Sequence, residues 1–166
     1  MVPLQHYQRR FKHILVDEFQ DTNIAQLRLV QNLTGEGGHL TAVGDEDQGI
    51  YRWRGAELSN ILDFEGTFKG ATVRKLERNY RSTGAVLDVA NQIMRGASRR
   101  RPKDLWTDLR SDDRVRLVVC RNPPDESSYI AMKVNQLREK HGLSYEDVGI
   151  LYRTNGQSRE LEEGLR

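Results

Sequence analysis

Short apolar runs closed by charge alternate along this chain with stretches of helical period. Ile14-Leu15-Val16, rich in β-branched residues, stops at once at Asp17 and Glu18, the pattern of a buried parallel strand with a charged tip. Thr22 or Asn23 can then cap a helix in which Ile24, Leu27, Val30 and Leu33 recur at near-helical spacing, with Gly35 to end it. Leu40-Thr41-Ala42-Val43 predicts a second strand, which runs into Gly44-Asp45. Strand, helix, strand is the unit that builds parallel sheets, so both acidic tips are expected on one sheet edge.

The pattern then repeats with a break. Gly66-Thr67-Phe68-Lys69-Gly70 is a polar connection bracketed by glycines and marks a junction between two lobes. Residues 71–76 predict a strand, and Ser82 or Thr83 caps a helix with Val86, Val89, Ala90 and Ile93 on one face. A turn-rich segment follows, opening with Arg99-Arg100-Arg101-Pro102-Lys103. Further strands are expected over residues 115–120 and 148–152, separated by a Pro123-Pro124 break and a helix with Ile130, Val134 and Leu137 inward; a last helix begins near Gln157. The expected class is α/β with parallel sheet, divided into residues 1–68 and 69–166.

Composition changes this picture little. A chain of 166 residues has one ordinary core or two small ones, and a net charge of +2 does not by itself announce a nucleic-acid binder. The single cysteine, Cys120, lies in an apolar run and suits a small buried hydrophobe; no disulfide framework can be built from it. His6, His13, His39 and His141 lack zinc-ligand spacing. No stretch is long and apolar enough to span a bilayer, and the first ten residues lack a signal-peptide core, so a cytoplasmic protein is expected.

Local clusters carry the candidate chemistry. Ligands of open α/β sheets collect at the carboxyl ends of strands, and a hydrated magnesium ion bearing nucleotide phosphates is a common partner for one or two carboxylates there. Asp17 is therefore the candidate metal holder, with Glu18 beside it; the plainer alternative is that the two acids merely open a surface turn. Tyr51-Arg52-Trp53-Arg54 puts two aromatics and two cations in four residues, which suits stacked bases and phosphates, although Tyr51 and Trp53 could also pack inward. The basic run at residues 99–103 reads either as a solvated loop or as a phosphate contact. Asp45 and Asp47 could join Asp17 in a two-metal cluster, but that leaves the aromatic-basic block without a task.

Three blocks, in order, carry a family resemblance. Asp17-Glu18-Phe19-Gln20-Asp21-Thr22, Gly44-Asp45-Glu46-Asp47-Gln48-Gly49-Ile50-Tyr51-Arg52-Trp53-Arg54-Gly55-Ala56 and Asn79-Tyr80-Arg81-Ser82-Thr83 resemble the Walker B, coupling and arginine-finger blocks of the UvrD/Rep/PcrA family of superfamily 1 DNA helicases. Similarity continues through Lys103-Asp104-Leu105-Trp106-Thr107 to Ile150-Leu151-Tyr152-Arg153-Thr154-Asn155. The resemblance implies RecA-like lobes, ATP and Mg2+ as cofactors, and 3′-to-5′ movement on single-stranded DNA and its junctions with duplex, in repair or replication restart. It implies that Asp17 holds magnesium, Glu18 activates water, Gln48 senses the γ-phosphate, Arg81 is the finger and Tyr80 stacks on adenine. Tyr51, Trp53 and Arg54 would meet DNA.

The chain also departs from that family. No G-x-x-x-x-G-K-[ST] phosphate loop occurs, and the family's upstream adenine-reading glutamine and later arginine blocks are missing. Gly49 stands where serine is usual and Phe19 where tyrosine is frequent. The expectation is an internal piece of a longer helicase, inactive alone. Two alternatives remain: a non-catalytic single-strand-binding module, and a helicase-like subunit of a RecB-type nuclease complex.

Overall fold

A computed structural model of the chain describes residues 4–98 and 100–165, so Arg99 of the basic run lies outside the described residues. The chain divides into two compact units, Met1–Val115 and Arg116–Arg166. In the first, helix α1 (Leu4–Arg10) precedes strand β1 (His13–Val16), helix α2 (Ile24–Thr34) and strand β2 (His39–Ala42). Helix α1 was not anticipated, though Leu4, Tyr7 and Phe11 have its period; Tyr7 and Phe11 stack, and the Gln8 amide donates to the Asn32 carbonyl of α2 at 2.7 Å.

Strands β1 and β2 pair in parallel, with Ile14 opposite Leu40 and Val16 opposite Ala42. This is the expected β-α-β unit and gives the first unit a small parallel α/β element. The strands are covered on one face only: Ile14, Val16, Leu40 and Ala42 are half-buried, while Leu15 and the stacked pair His13 and His39 face solvent. A reading of β1 as fully buried is thus corrected, because nothing in the described residues covers the second face.

Asn23, rather than Thr22, caps α2. Its side chain accepts from the Gln26 N–H at 2.8 Å while the Gln26 side chain accepts from the Asn23 N–H at 2.9 Å, a reciprocal capping box. Thr22 is turned inward, and its carbonyl and hydroxyl both take the amide of buried Asn60 at 3.0 and 3.2 Å. Two short helices, α3 (Ser59–Leu62) and α4 (Phe64–Thr67), complete the packing around Phe19, whose buried ring meets Phe64 edge-on at 5.3 Å.

Helix α5 (Gly84–Arg95) follows Thr83, which holds the N-cap position in extended backbone but makes no side-chain capping bond. Its buried side chain is Leu87; Val86 and Ile93 stay exposed, contrary to the apolar face expected. The inward stripe continues through a polar residue, Asn91, whose amide clasps both backbone groups of Leu105 at 2.9 and 3.1 Å. Hydrophobic periodicity is blind to a polar anchor of that kind.

The strands expected over residues 71–76, 115–120 and 148–152 are not formed. A strand exists only where a neighbour takes its backbone groups, and among the described residues none aligns with these three. Leu117, Val119 and Leu151 are accordingly almost fully exposed. What pairing there is lies just beyond the first run, where a single parallel bridge joins Arg78 to Trp106, with Asn79 N–H donating to the Trp106 carbonyl at 2.7 Å.

The second unit is a helical pair, α6 (Pro123–His141) and α7 (Gly156–Leu165). Asn122 caps α6 from the Asp125 N–H at 2.8 Å, so the two prolines open the helix instead of preceding it; the first helical turn needs no N–H donors from them. Gly142, left-handed at φ 68°, ends it. Val134 and Ser127 are the buried residues of α6, and Leu137 is exposed.

Candidate functional site

The ladder of β1 and β2 is prolonged past both strand ends: Val43 N–H donates to Val16 carbonyl at 2.8 Å and Phe19 N–H to Val43 carbonyl at 2.9 Å. This brings the two acidic tips to one edge. Asp17 and Glu18 are exposed there, and one oxygen of Asp17 accepts the Glu18 N–H at 2.9 Å. Glu18 is held in the left-handed region at φ 50°, ψ 46°, the one such non-glycine among the described residues. That conformation costs an L-residue on the order of 1 kcal/mol and is the kind of local strain found at functional positions.

Gln20, buried in the turn Phe19–Asp21, joins the tips. Its amide donates to a Glu18 carboxylate oxygen at 2.7 Å, and its carbonyl oxygen accepts the Asp45 N–H at 2.9 Å. The Asp45 carboxylate in turn accepts the Gln48 amide at 2.9 Å and the Asp47 N–H at 2.9 Å, closing the turn Glu46–Gln48. Glu18 and Gln48 therefore stand at the ends of one continuous chain of hydrogen bonds. Gly44 makes the approach possible, since a Cβ there would lie 2.7 Å from the Gln20 oxygen and 2.8 Å from Ile61. Sequence reasoning missed Gln20; its only signal was an uncharged polar residue between two acids, at a position that proves to be buried.

Acids 45–47 are engaged by the segment after α5. Lys103 forms ion pairs with Asp45 and, at 3.6 and 3.3 Å, with Glu46 and Asp47. The Arg100 guanidinium grips both oxygens of Asp47, at 3.0 and 2.8 Å. Burial acts to raise the Asp45 carboxyl, but the bonds from Lys103, Gln48 and the Asp47 N–H outweigh it and hold the group below its ordinary 3.8. Burial acts to lower Lys103; the bond to Asp45 and the charges of Asp45, Glu46 and Asp47 win and raise it above 10.5. Asp45 and Asp47 are thereby spent on cations, which removes them from a two-metal cluster with Asp17. The basic run, in turn, is neither a solvated loop nor open to phosphate at residues 100 and 103.

A divalent cation at this edge would be held by Asp17. Among the described residues no three metal-ligating side chains gather, and the second Asp17 oxygen has no hydrogen-bond partner, which suits a cation that keeps most of its shell as water and phosphate.

Tyr51 and Trp53 do not pack inward. Trp53 is 75% exposed, and the Arg54 guanidinium lies 5.0 Å from the Tyr51 ring and 4.6 Å from the Trp53 ring. The result is an open surface of two rings with a cation between them, shaped by the turn Arg52–Arg54 and ended by left-handed Gly55. Farther along, Asn79 accepts the N–H groups of Arg81 and Ser82 at 2.8 and 2.7 Å, fixing the loop that carries Tyr80 and Arg81. Both side chains project to solvent, and Tyr80 carries the Arg78 guanidinium 4.8 Å from its ring. No hydrogen bond or ion pair among the described residues joins Arg81 to Asp17, Glu18 or Gln48.

The sheet edge with its acids and amides defines a polar site at the strand ends of a small parallel α/β element. The UvrD/REP helicase N-terminal domain family matches residues 3–69, and the UvrD-like helicase C-terminal domain family matches residues 74–166. The chain belongs to the UvrD-type helicase family. It is 46% identical over 164 residues to the ATP-dependent DNA helicase PcrA of Bacillus subtilis, covering 98% of this chain and 22% of that protein. It is 46% identical over 162 residues to DNA helicase II of Haemophilus influenzae and 43% over 160 residues to PcrA of Staphylococcus aureus, again 22% of each relative's length. The chain thus spans about a fifth of the curated relatives it matches.

Proposed function

We propose that this chain supplies the hydrolytic and coupling residues of an ATP-dependent DNA helicase or translocase that moves 3′ to 5′ on single-stranded DNA. The observation that carries this reading is the hydrogen-bonded path Glu18–Gln20–Asp45–Gln48 at the common edge of β1 and β2. It rests also on family membership and on relatives named as ATP-dependent DNA helicases. The family boundary between residues 69 and 74 favours two RecA-like pieces, residues 1–68 and 69–166. The direction of movement comes from the resemblance alone.

Phosphoryl transfer to water needs charge neutralised on the phosphates, a positioned nucleophile and a cation against the developing charge. A magnesium ion, if bound, would be held by Asp17 and would supply the first. Glu18 orients and deprotonates the attacking water, with Gln20 fixing one of its oxygens and leaving the other free for that water. Gln48 donates to the γ-phosphate, and on doing so must leave or share Asp45. Arg81, which makes no ion pair among the described residues, is available to a phosphate as a planar cation, and Tyr80 offers a ring to adenine. Five residues after Gln48, Trp53 stands with Tyr51 and Arg54 as a base-stacking surface, close enough along the chain for a change at the phosphate to move it.

A second reading has its own observation: no phosphate-loop motif occurs in these 166 residues, while the Tyr51-Trp53-Arg54 surface is complete. On that reading the chain binds single strand weakly and without catalysis. Both readings are tested by replacing the matching part of the Bacillus subtilis relative with this chain. DNA-stimulated hydrolysis by the chimera, abolished by Glu18→Gln with nucleotide binding retained, supports the first. A chimera that binds nucleotide and strand but never turns over supports the second.

A further inference from the structure

The strap at residues 100–103 has no part in the reading above, yet it is the most heavily bonded polar cluster in the described structure. Lys103, whose side chain is only 14% exposed, sits among three carboxylates of one short turn. Arg100 completes the arrangement: besides its fork on Asp47, it donates to the Met94 carbonyl in the last turn of α5 at 3.1 Å and to the Lys103 carbonyl at 3.3 Å. Arg101 adds its backbone N–H to Glu46 at 2.9 Å and its guanidinium to Glu65 at 2.9 Å. Without these cations, three acids within three successive residues would repel one another in a half-buried turn.

The geometry is asymmetric in a useful way. One Asp45 oxygen takes Lys103, and the other takes the Gln48 amide. Arg100 touches Asp47, whose side chain has no bond to Gln48. We propose that Lys103 is a positioning residue for Gln48, orienting the Asp45 carboxylate so that its second oxygen presents the Gln48 amide toward the strand ends, while Arg100 anchors the same turn to the end of α5. The relay itself stands on these contacts; its consequence for hydrolysis rests on the function proposed above.

The test reads the Gln48 side-chain amide directly, by heteronuclear NMR of this chain, with Gln48→Glu identifying the signals by their loss. In Lys103→Met the amide, exposed but bonded to Asp45 in the parent, moves toward the position of a glutamine with no protein partner, and its hydrogen exchange quickens by about tenfold, the loss of one hydrogen bond. Lys103→Arg, which keeps charge and donors, stays within about twofold of the parent, and so does Lys140→Met on the exposed face of α6. Arg100→Lys loses the fork on Asp47 but leaves the Gln48 amide within the same limit. Unchanged Gln48 signals in folded Lys103→Met overturn the proposal, and equal changes in Lys103→Met and Arg100→Lys overturn it in favour of general support of the turn. Should Lys103→Met fail to fold, Lys103→Gln takes its place, and the same two outcomes overturn the proposal. In the chimera, Lys103→Met lowers kcat about tenfold with KM for ATP within twofold, by loss of one orienting bond. If the NMR change occurs and kcat does not move, the relay stands and the hydrolytic role of Gln48 falls.

Discussion

Glu18 shows how much one backbone angle can matter. Its left-handed conformation is forced by the step from β1 into the turn Phe19–Asp21, where Phe19 must reach the Val43 carbonyl and Gln20 must be buried. Glycine adopts that conformation freely, whereas a β-branched side chain does so least readily. Glu18→Gly is therefore expected to exceed Glu18→Val in stability by about 1–2 kcal/mol, read from denaturant midpoints. Both lack the carboxylate, so its bonds drop out of the comparison, and glycine's greater loss of backbone freedom on folding works against the expected difference. The Asp45–Lys103 pair gives a second expectation at this scale. Asp45 is held below its unfolded value, so its contribution is present above about pH 4 and is lost as pH falls through the lowered folded value. Lys103 is raised, so its contribution persists through neutral pH and is lost only as pH climbs past its unfolded value of 10.5 toward the higher folded one. The stability difference between the parent and Asp45→Asn should thus be flat near neutrality and shrink below about pH 4, measured by denaturation at each pH.

At the level of elements, capping and turn chemistry were readable from the chain, and packing partners were not. Asn23 and Gly35 close their helix where the pattern suggests, because a cap is satisfied within a few residues of itself, and Thr83 holds the N-cap position of α5 without a side-chain bond. The strands expected at residues 71–76, 115–120 and 148–152 depend on partners distant in sequence, and no local rule supplies those. The contact of α6 with α7 is a case in point: a Cβ at Gly164 would lie 2.3 Å from the Ser127 Cβ, so the helices approach only because one residue has no side chain. Gly164→Ala is expected to destabilise the second unit by about 1–3 kcal/mol, with Ser127→Gly restoring part of the loss in the double variant. Thermal unfolding of the three variants decides it.

Across the whole molecule, the expectation is binding without turnover. The chain alone should show no ATP hydrolysis with or without oligonucleotide, because no backbone cradle or lysine for the β- and γ-phosphates occurs in it. Measurable turnover would contradict the assignment of catalysis to a larger assembly of motifs. Single-strand binding should weaken with rising salt, and Trp53→Ala should cost about 1–3 kcal/mol, checked by anisotropy of a labelled oligonucleotide. Asp17, Glu18, Gln48, Arg81 and the aromatic-basic block stand out in the chain by residue type; of these the structure puts Glu18 and Gln48 on one hydrogen-bonded path and leaves Arg81 unjoined to them among the described residues. Gln20 and Lys103 do not stand out, since a glutamine after a phenylalanine and a lysine in a basic run have no signature until burial and partners are known. What the sequence determined alone was the strand-helix-strand order of residues 13–42, the Asn23 cap and the family, all written in local pattern or in motifs several residues long. Tertiary structure decided which acids remain free and which are spent on cations, and that Glu18 and Gln48 share one path of hydrogen bonds. Such contacts join residues 25 to 58 positions apart, and their existence depends on geometry that no spacing rule encodes.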